Sequence, residues 1–141
     1  MNDTLSRDER LLAAIVHAVV VLTGPGIIVG VYVWLTQKEK FPYAAVQAKQ
    51  AALYQLAGML VTVVLWVAYT VSTLIAMLPI ARNPAQYEDN LPPLFWWSMA
   101  SMLVPLVFMG VWWVYGLWGA LKCWRGEHFR YAIIGRRLLA E

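Results

Sequence analysis

Polar and apolar positions in this chain come in long blocks rather than short amphipathic periods. No Asp, Glu, Lys or Arg falls between Leu11 and Thr36, between Gln50 and Ala81, or between Leu91 and Leu121. A hydrocarbon core about 30 Å thick needs ~20 apolar residues of helix to cross it, and each block is longer than that. The pattern predicts an all-α integral membrane protein: a single transmembrane domain over residues 1–141, built as a small helical bundle. Its four membrane segments are expected at about 7–23, 26–37, 51–79 and 94–121, followed by a basic tail over 122–141.

Local signals place the ends of these elements. Ser6-Arg7-Asp8-Glu9 has the S-x-x-E form of a capping box, so a helix is expected to begin there. Gly24-Pro25-Gly26 interrupts the first block, since proline removes a backbone donor and crowds the preceding turn. Trp34 followed by Lys38, Glu39 and Lys40 reads as a membrane exit, and Pro42 suits the first position of the next helix. Asn83-Pro84 through Pro92-Pro93 is the clearest loop. Pro105 should bend the last span. No small-x-small cleavage site follows the first apolar run, which is therefore expected to be retained.

Two arrangements fit the first block: one kinked crossing, giving three spans, or a hairpin broken at Gly24-Pro25-Gly26, giving four. The hairpin puts ten basic residues on one side and leaves Arg82 alone on the other. The positive-inside bias favours it, with both termini cytoplasmic.

Charge and composition narrow the function. The pI near 9.2 arises from basic residues beside the spans, where orientation and anionic lipid headgroups at the basic tail account for them. No nucleic-acid-reading motif accompanies them. One cysteine, Cys123, permits no internal disulfide or cysteine-based metal cluster. Membrane-embedded chemistry needs buried acids, bases or ligands, and His17 is the single candidate inside the blocks. It is open to two readings: a pH-sensitive polar point, or a neutral imidazole bonded to a neighbouring helix near Gly24. No catalytic residue, cofactor or metal site is expected.

Polar residues within the second long helix recur at helical spacing. Tyr43, Gln47, Gln50 and Tyr54 share one face, and Gln55, Thr62, Trp66, Tyr69 and Thr73 share another. They serve either as a hydrophilic lining or as hydrogen bonds between packed helices, the second being favoured. Gly26 and Gly30 have the spacing that lets two helices approach closely.

His17, Pro25, Trp34, Lys38 to Lys40, Ala48-Lys49-Gln50-Ala51, Tyr54, Gln55 and Gly126-Glu127-His128-Phe129-Arg130-Tyr131 together resemble an uncharacterised prokaryotic family of small membrane proteins. That family is distantly similar to the channel subunit of the plastid inner-envelope import machinery (Tic twenty-kilodalton-like). The resemblance implies four membrane helices in a prokaryotic cytoplasmic (inner) membrane and points toward translocation. The expected function is a non-catalytic, multi-pass structural, assembly or accessory subunit of a membrane complex. A channel or translocation component is the alternative. Its expected partners are the bilayer and either another membrane protein or further copies of itself. The candidate functional or packing positions are His17, Pro25, Lys49, Gln50, Gln55, Arg130 and Tyr131.

Overall fold

A computed structural model describes residues 5–132, which form helices and turns with no strand among them. The end of the basic tail, including Arg136 and Arg137, lies outside the described residues. Helix α1 (Arg7–Ala18) starts where the capping signal placed it, with Ser6 Oγ accepting the Glu9 N–H at 3.1 Å. The reciprocal half of the box is used differently. Glu9 accepts the Tyr43 N–H at 2.9 Å, at the start of α3 (Pro42–Arg82). Pro42 has no N–H, so that of Tyr43 is the first donor of α3 needing a partner. A buried carboxylate there also meets the positive end of the helix dipole.

The break in the first block is displaced from the predicted Gly24-Pro25-Gly26. After α1 the chain tightens into a 3₁₀ turn (Val19–Leu22) and reverses at Thr23, and α2 (Gly24–Thr36) begins at once. Pro25 thus opens α2 rather than ending its predecessor, which suits a residue with no N–H to leave unpaired. Leu12, Val16, Val29 and Val33 belong to one apolar cluster. In a straight helix Leu12 and Val33 would stand about 30 Å apart at ~1.5 Å per residue. The segment is therefore a hairpin and not a kinked rod. Thr23 adopts φ 55° and ψ −112°, the one described non-glycine residue at positive φ. A β-branched side chain is strained there. Thr23→Gly should raise stability by about 1 kcal/mol, read as a higher melting temperature in detergent.

The chain divides into two compact units, residues 1–59 with 111–141, and residues 60–110. In the first unit, α3 offers an alanine face in which Ala44, Ala45, Ala48, Ala51 and Ala52 are all buried. Small side chains let α2 come close: a Cβ built on Gly30 would lie 3.0 Å from Ala52 Cβ and 3.2 Å from the Ala48 carbonyl. A second cluster joins Ala13, Ala14, Val20, Tyr43, Tyr54, Cys123, Phe129 and Tyr131. It gathers α1, the start of α3, the end of α5 (Leu103–Trp124) and the residues that follow.

The second unit holds the rest of α3, a 3₁₀ turn (Pro84–Tyr87), α4 (Pro93–Ser101) and the start of α5. The helix breaks at Met102, three residues before Pro105. Proline cannot donate to the Ser101 carbonyl, so the predicted bend falls one turn ahead of it. Ser72, Ser98 and Ser101 each bond a carbonyl three residues back in their own helix. Hydroxyls in apolar surroundings satisfy themselves in this way.

Among the described residues two helical stretches are long and apolar enough to cross a membrane: Pro42–Arg82 with 41 residues and Pro93–Trp124 with 32. Only 6% and 11% of their most apolar windows are buried. A soluble core helix would be mostly covered. Here Val64, Val67, Leu74, Leu103, Val107 and Val111 stay more than half exposed, the condition of helices whose solvent is lipid. Gly24–Thr36 is apolar but shorter.

Candidate functional site

His17 sits on α1 with no exposed surface, among groups brought from distant parts of the chain. Its Nδ1 lies 2.8 Å from the Tyr131 hydroxyl and its Nε2 lies 3.0 Å from Gln47 Oε1. The Gln47 amide Nε2 donates in turn to the Phe129 carbonyl at 3.1 Å. These partners determine the proton positions. An amide oxygen only accepts, so Nε2 of the imidazole carries the hydrogen. Nδ1 is then the acceptor, and the Tyr131 hydroxyl donates to it. The result is a closed chain of donors and acceptors running from Tyr131 through His17 and Gln47 to Phe129. Burial holds the Tyr131 phenol well above its ordinary pKa, with Tyr54 adding to the effect, so Tyr131 remains a donor.

The segment after α5 makes this arrangement possible. Gly126 takes φ 78°, the left-handed conformation that ends a helix, and the chain continues without helix. Along this extended stretch, Phe129 and Tyr131 are buried while His128 and Arg130 are exposed, the period-two alternation of extended backbone. Tyr131 completes a stack in which Tyr54 is sandwiched. The Trp112 ring lies 3.8 Å away on one side and Tyr131 lies 3.9 Å away on the other. Tyr54 donates to the Trp112 carbonyl at 2.8 Å, and Tyr43 donates to the Glu127 carbonyl at 2.7 Å. At the exposed start of the segment, the Lys122 ammonium 2.7 Å from Glu127 holds that carboxyl below its usual pKa.

Every predicted position lies in this first unit. His17 and Tyr131 touch directly. Gln55 donates to the Val16 carbonyl at 3.1 Å, tying α3 to the end of α1. Pro25 opens α2, away from the circuit. Lys49, Gln50 and Arg130 line two neighbouring hollows on the outer side of α3. His17 bonds Gln47 and Tyr131 and not the carbonyls near Gly24. The stripe Tyr43, Gln47, Gln50 and Tyr54 is buried, and three of its four members bond protein groups, as helix packing requires. Glu9 and Trp112 were not legible as site residues. The capping signal explained Glu9 locally, and Trp112 was one of many tryptophans. Among the described residues no three of His, Cys, Asp and Glu gather as metal ligands.

The sequence pattern of the magnetosome magnetite crystal formation protein family (MamF/MmsF) matches residues 8–138, which include both ends of the His17–Tyr131 connection. The chain belongs to this family. No curated protein and no solved structure matches it.

Membership of the MamF/MmsF family overturns the resemblance to the plastid import channel. The residues that carried that resemblance build this protein's own packing. His17 and Tyr131 form the circuit, Pro25 opens α2, and Ala48 and Ala51 belong to the alanine face. Motifs that serve helix contact carry no information about passage through a membrane. The family's description concerns crystal formation and names no reaction.

Proposed function

We propose that this chain is a non-catalytic, multi-pass component of the magnetosome membrane that organises the bilayer in which magnetite grows. The observation that carries this reading is the satisfied state of His17: both ring nitrogens are engaged by Gln47 and Tyr131. A histidine so held has no lone pair left for a substrate or metal and no open face for a proton relay. Tyr43, Gln47, Tyr54 and Gln55 likewise spend a polar group on bonds between elements of the bundle.

In this reading the α1–α2 hairpin enters the bilayer as two short segments and the two long apolar stretches cross it. Both termini lie on the cytoplasmic side, with the Arg82–Pro93 loop opposite. The single domain so formed assembles with other membrane proteins or with its own copies through the wide apolar surface of the long helices.

Impermeant thiol labelling of intact isolated magnetosomes tests the topology in a Cys123→Ser background. Asn2→Cys and Glu141→Cys should be modified while Gln86→Cys is protected. Protection of positions 2 and 86 together would instead require three crossings. Function is tested by removing the gene from its magnetosome-forming host and measuring crystals by electron microscopy. Crystal size should fall, and a stably folded His17→Gln chain should restore it. A folded His17→Gln chain that leaves crystals as defective as the deletion would contradict a non-catalytic role.

A further inference from the structure

We propose that the outer side of the α2–α3 junction binds the headgroup of an anionic, hydroxyl-bearing phospholipid of the phosphatidylglycerol type. Two adjoining hollows of about 330 and 310 Å³ lie there and share Pro42, Val46 and Gln50. His128 and Arg130 close one of them, and Trp34, Lys38 and Lys49 close the other. All these residues belong to the first compact unit.

Two independent observations point to a ligand. The first is charge. Lys38 Nζ and Lys49 Nζ lie 5.0 and 5.4 Å from the centre of the same Trp34 ring. Two ammonium groups held against one indole repel each other. The one ion pair among the described residues is Lys122–Glu127, elsewhere in the fold, and no carboxylate lines either hollow. A phosphate between the two lysines would turn the repulsion into two charge-assisted hydrogen bonds.

The second observation is Gln50, which lines both hollows and is 1% exposed. Its Oε1 is buried with no donor, a condition that is destabilising when left unrelieved. Gln50 lines a cationic pocket and its amide oxygen lacks a donor, so a group that carries both a negative charge and a hydroxyl donor would satisfy it once the amide turns toward the hollow. A phosphoglycerol headgroup carries both. Free phosphate presents the same charge, but the surroundings favour the lipid. Trp34 with nearby lysines is the usual signature of the headgroup layer. Farther from the charged loop, Ile28 and Tyr32 on α2 and Leu53 and Leu56 on α3 are exposed, offering acyl chains an apolar surface. The inference rests on the reading of α2 and α3 as membrane helices. It differs from attraction to the basic tail, since it needs a built pocket and one glutamine.

The test uses the full chain, purified in neutral detergent, delipidated and titrated with phosphatidylglycerol, phosphatidylcholine or soluble glycerol phosphate. Native mass spectrometry counts the bound molecules. Phosphatidylglycerol should bind roughly thirtyfold more tightly than phosphatidylcholine, since two lysines face its anionic headgroup. A Lys38→Gln/Lys49→Gln chain should lose that preference, and Lys122→Gln/Arg125→Gln should keep it. Gln50→Glu, which sets a carboxylate against the phosphate, should lose it too and serves if the double variant fails to fold. Equal affinity for the two lipids, or equal loss in the Lys122/Arg125 control, would overturn the site. Competition by glycerol phosphate at the lipid's own affinity would assign it to a soluble anion instead. A chain monodisperse in buffer without detergent would end the membrane reading and this site together, whereas a detergent-dependent chain indifferent to headgroup charge ends the site alone.

Discussion

Replacing His17 with leucine should detach the 126–132 segment from the helices. Leucine roughly fills the imidazole's space but leaves the Tyr131 hydroxyl and Gln47 Oε1 buried without the partners they now have at 2.8 and 3.0 Å. Each orphaned group costs about 1–3 kcal/mol, so the loss should fall between ~2 and ~6 kcal/mol. The segment can recover by leaving the core and meeting water, which also dismantles the Trp112–Tyr54–Tyr131 stack. Limited trypsin digestion in detergent should therefore cut readily at Arg130, and the melting temperature should drop. His17→Gln, which retains a donor and an acceptor, should lose much less. Equal protease resistance in wild type and His17→Leu would show that the circuit does not anchor the segment.

Gly26→Val should separate α2 from its packing against α3 and the 3₁₀ turn. A Cβ at this position would overlap the Gln55 side-chain oxygen and lie 2.6 Å from the Val19 carbonyl. The glutamine can swing aside only by giving up its bond to the Val16 carbonyl. The Val19 carbonyl is backbone and cannot move without reopening the turn at Thr23. Overpacking of a well-fitted site typically costs about 1–3 kcal/mol, and here a lost buried hydrogen bond adds roughly 1 kcal/mol more. A drop in melting temperature larger than that of Gly24→Ala is the expected result, because nothing lies within 4 Å of a Cβ at Gly24. Equal effects at the two glycines would mean that α2 does not depend on close contact at Gly26.

Much of the fold could be read without coordinates because its causes are local. Ser6 caps α1 through a group three residues away, Pro42 starts α3, and Pro105 bends the last helix within one turn. Of the two polar stripes read on α3, Tyr43, Gln47, Gln50 and Tyr54 proved buried, whereas Thr62, Trp66, Tyr69 and Thr73 of the other stay partly exposed. The turn was misplaced for an instructive reason. Glycine and proline are strong breakers, yet Pro25 fits the first turn of a helix as well as the end of one. The reversal fell instead on Thr23, whose backbone conformation no propensity would select.

The candidate site was half legible. His17 stood out because an ionisable residue is costly within an apolar block, and Tyr131 and Gln50 were singled out beside it. Their roles were not accessible, since His17 bonds residues 30 and 114 positions away. Glu9 looked like half of a local cap and proved to cap another helix, 34 residues on. Such partners are chosen by whichever donor a packed neighbour leaves unpaired, and sequence distance does not enter.

By itself, the sequence determined the protein's solvent and its helices, because transfer of apolar side chains and the need to pair every backbone group act residue by residue along the chain. Only the tertiary structure decided which way the hairpin turns, that the chain after α5 returns to close over His17, and that Lys38, Lys49 and Gln50 surround a common space. Those outcomes depend on which buried donors and acceptors meet once helices pack, and that pairing exists only in three dimensions.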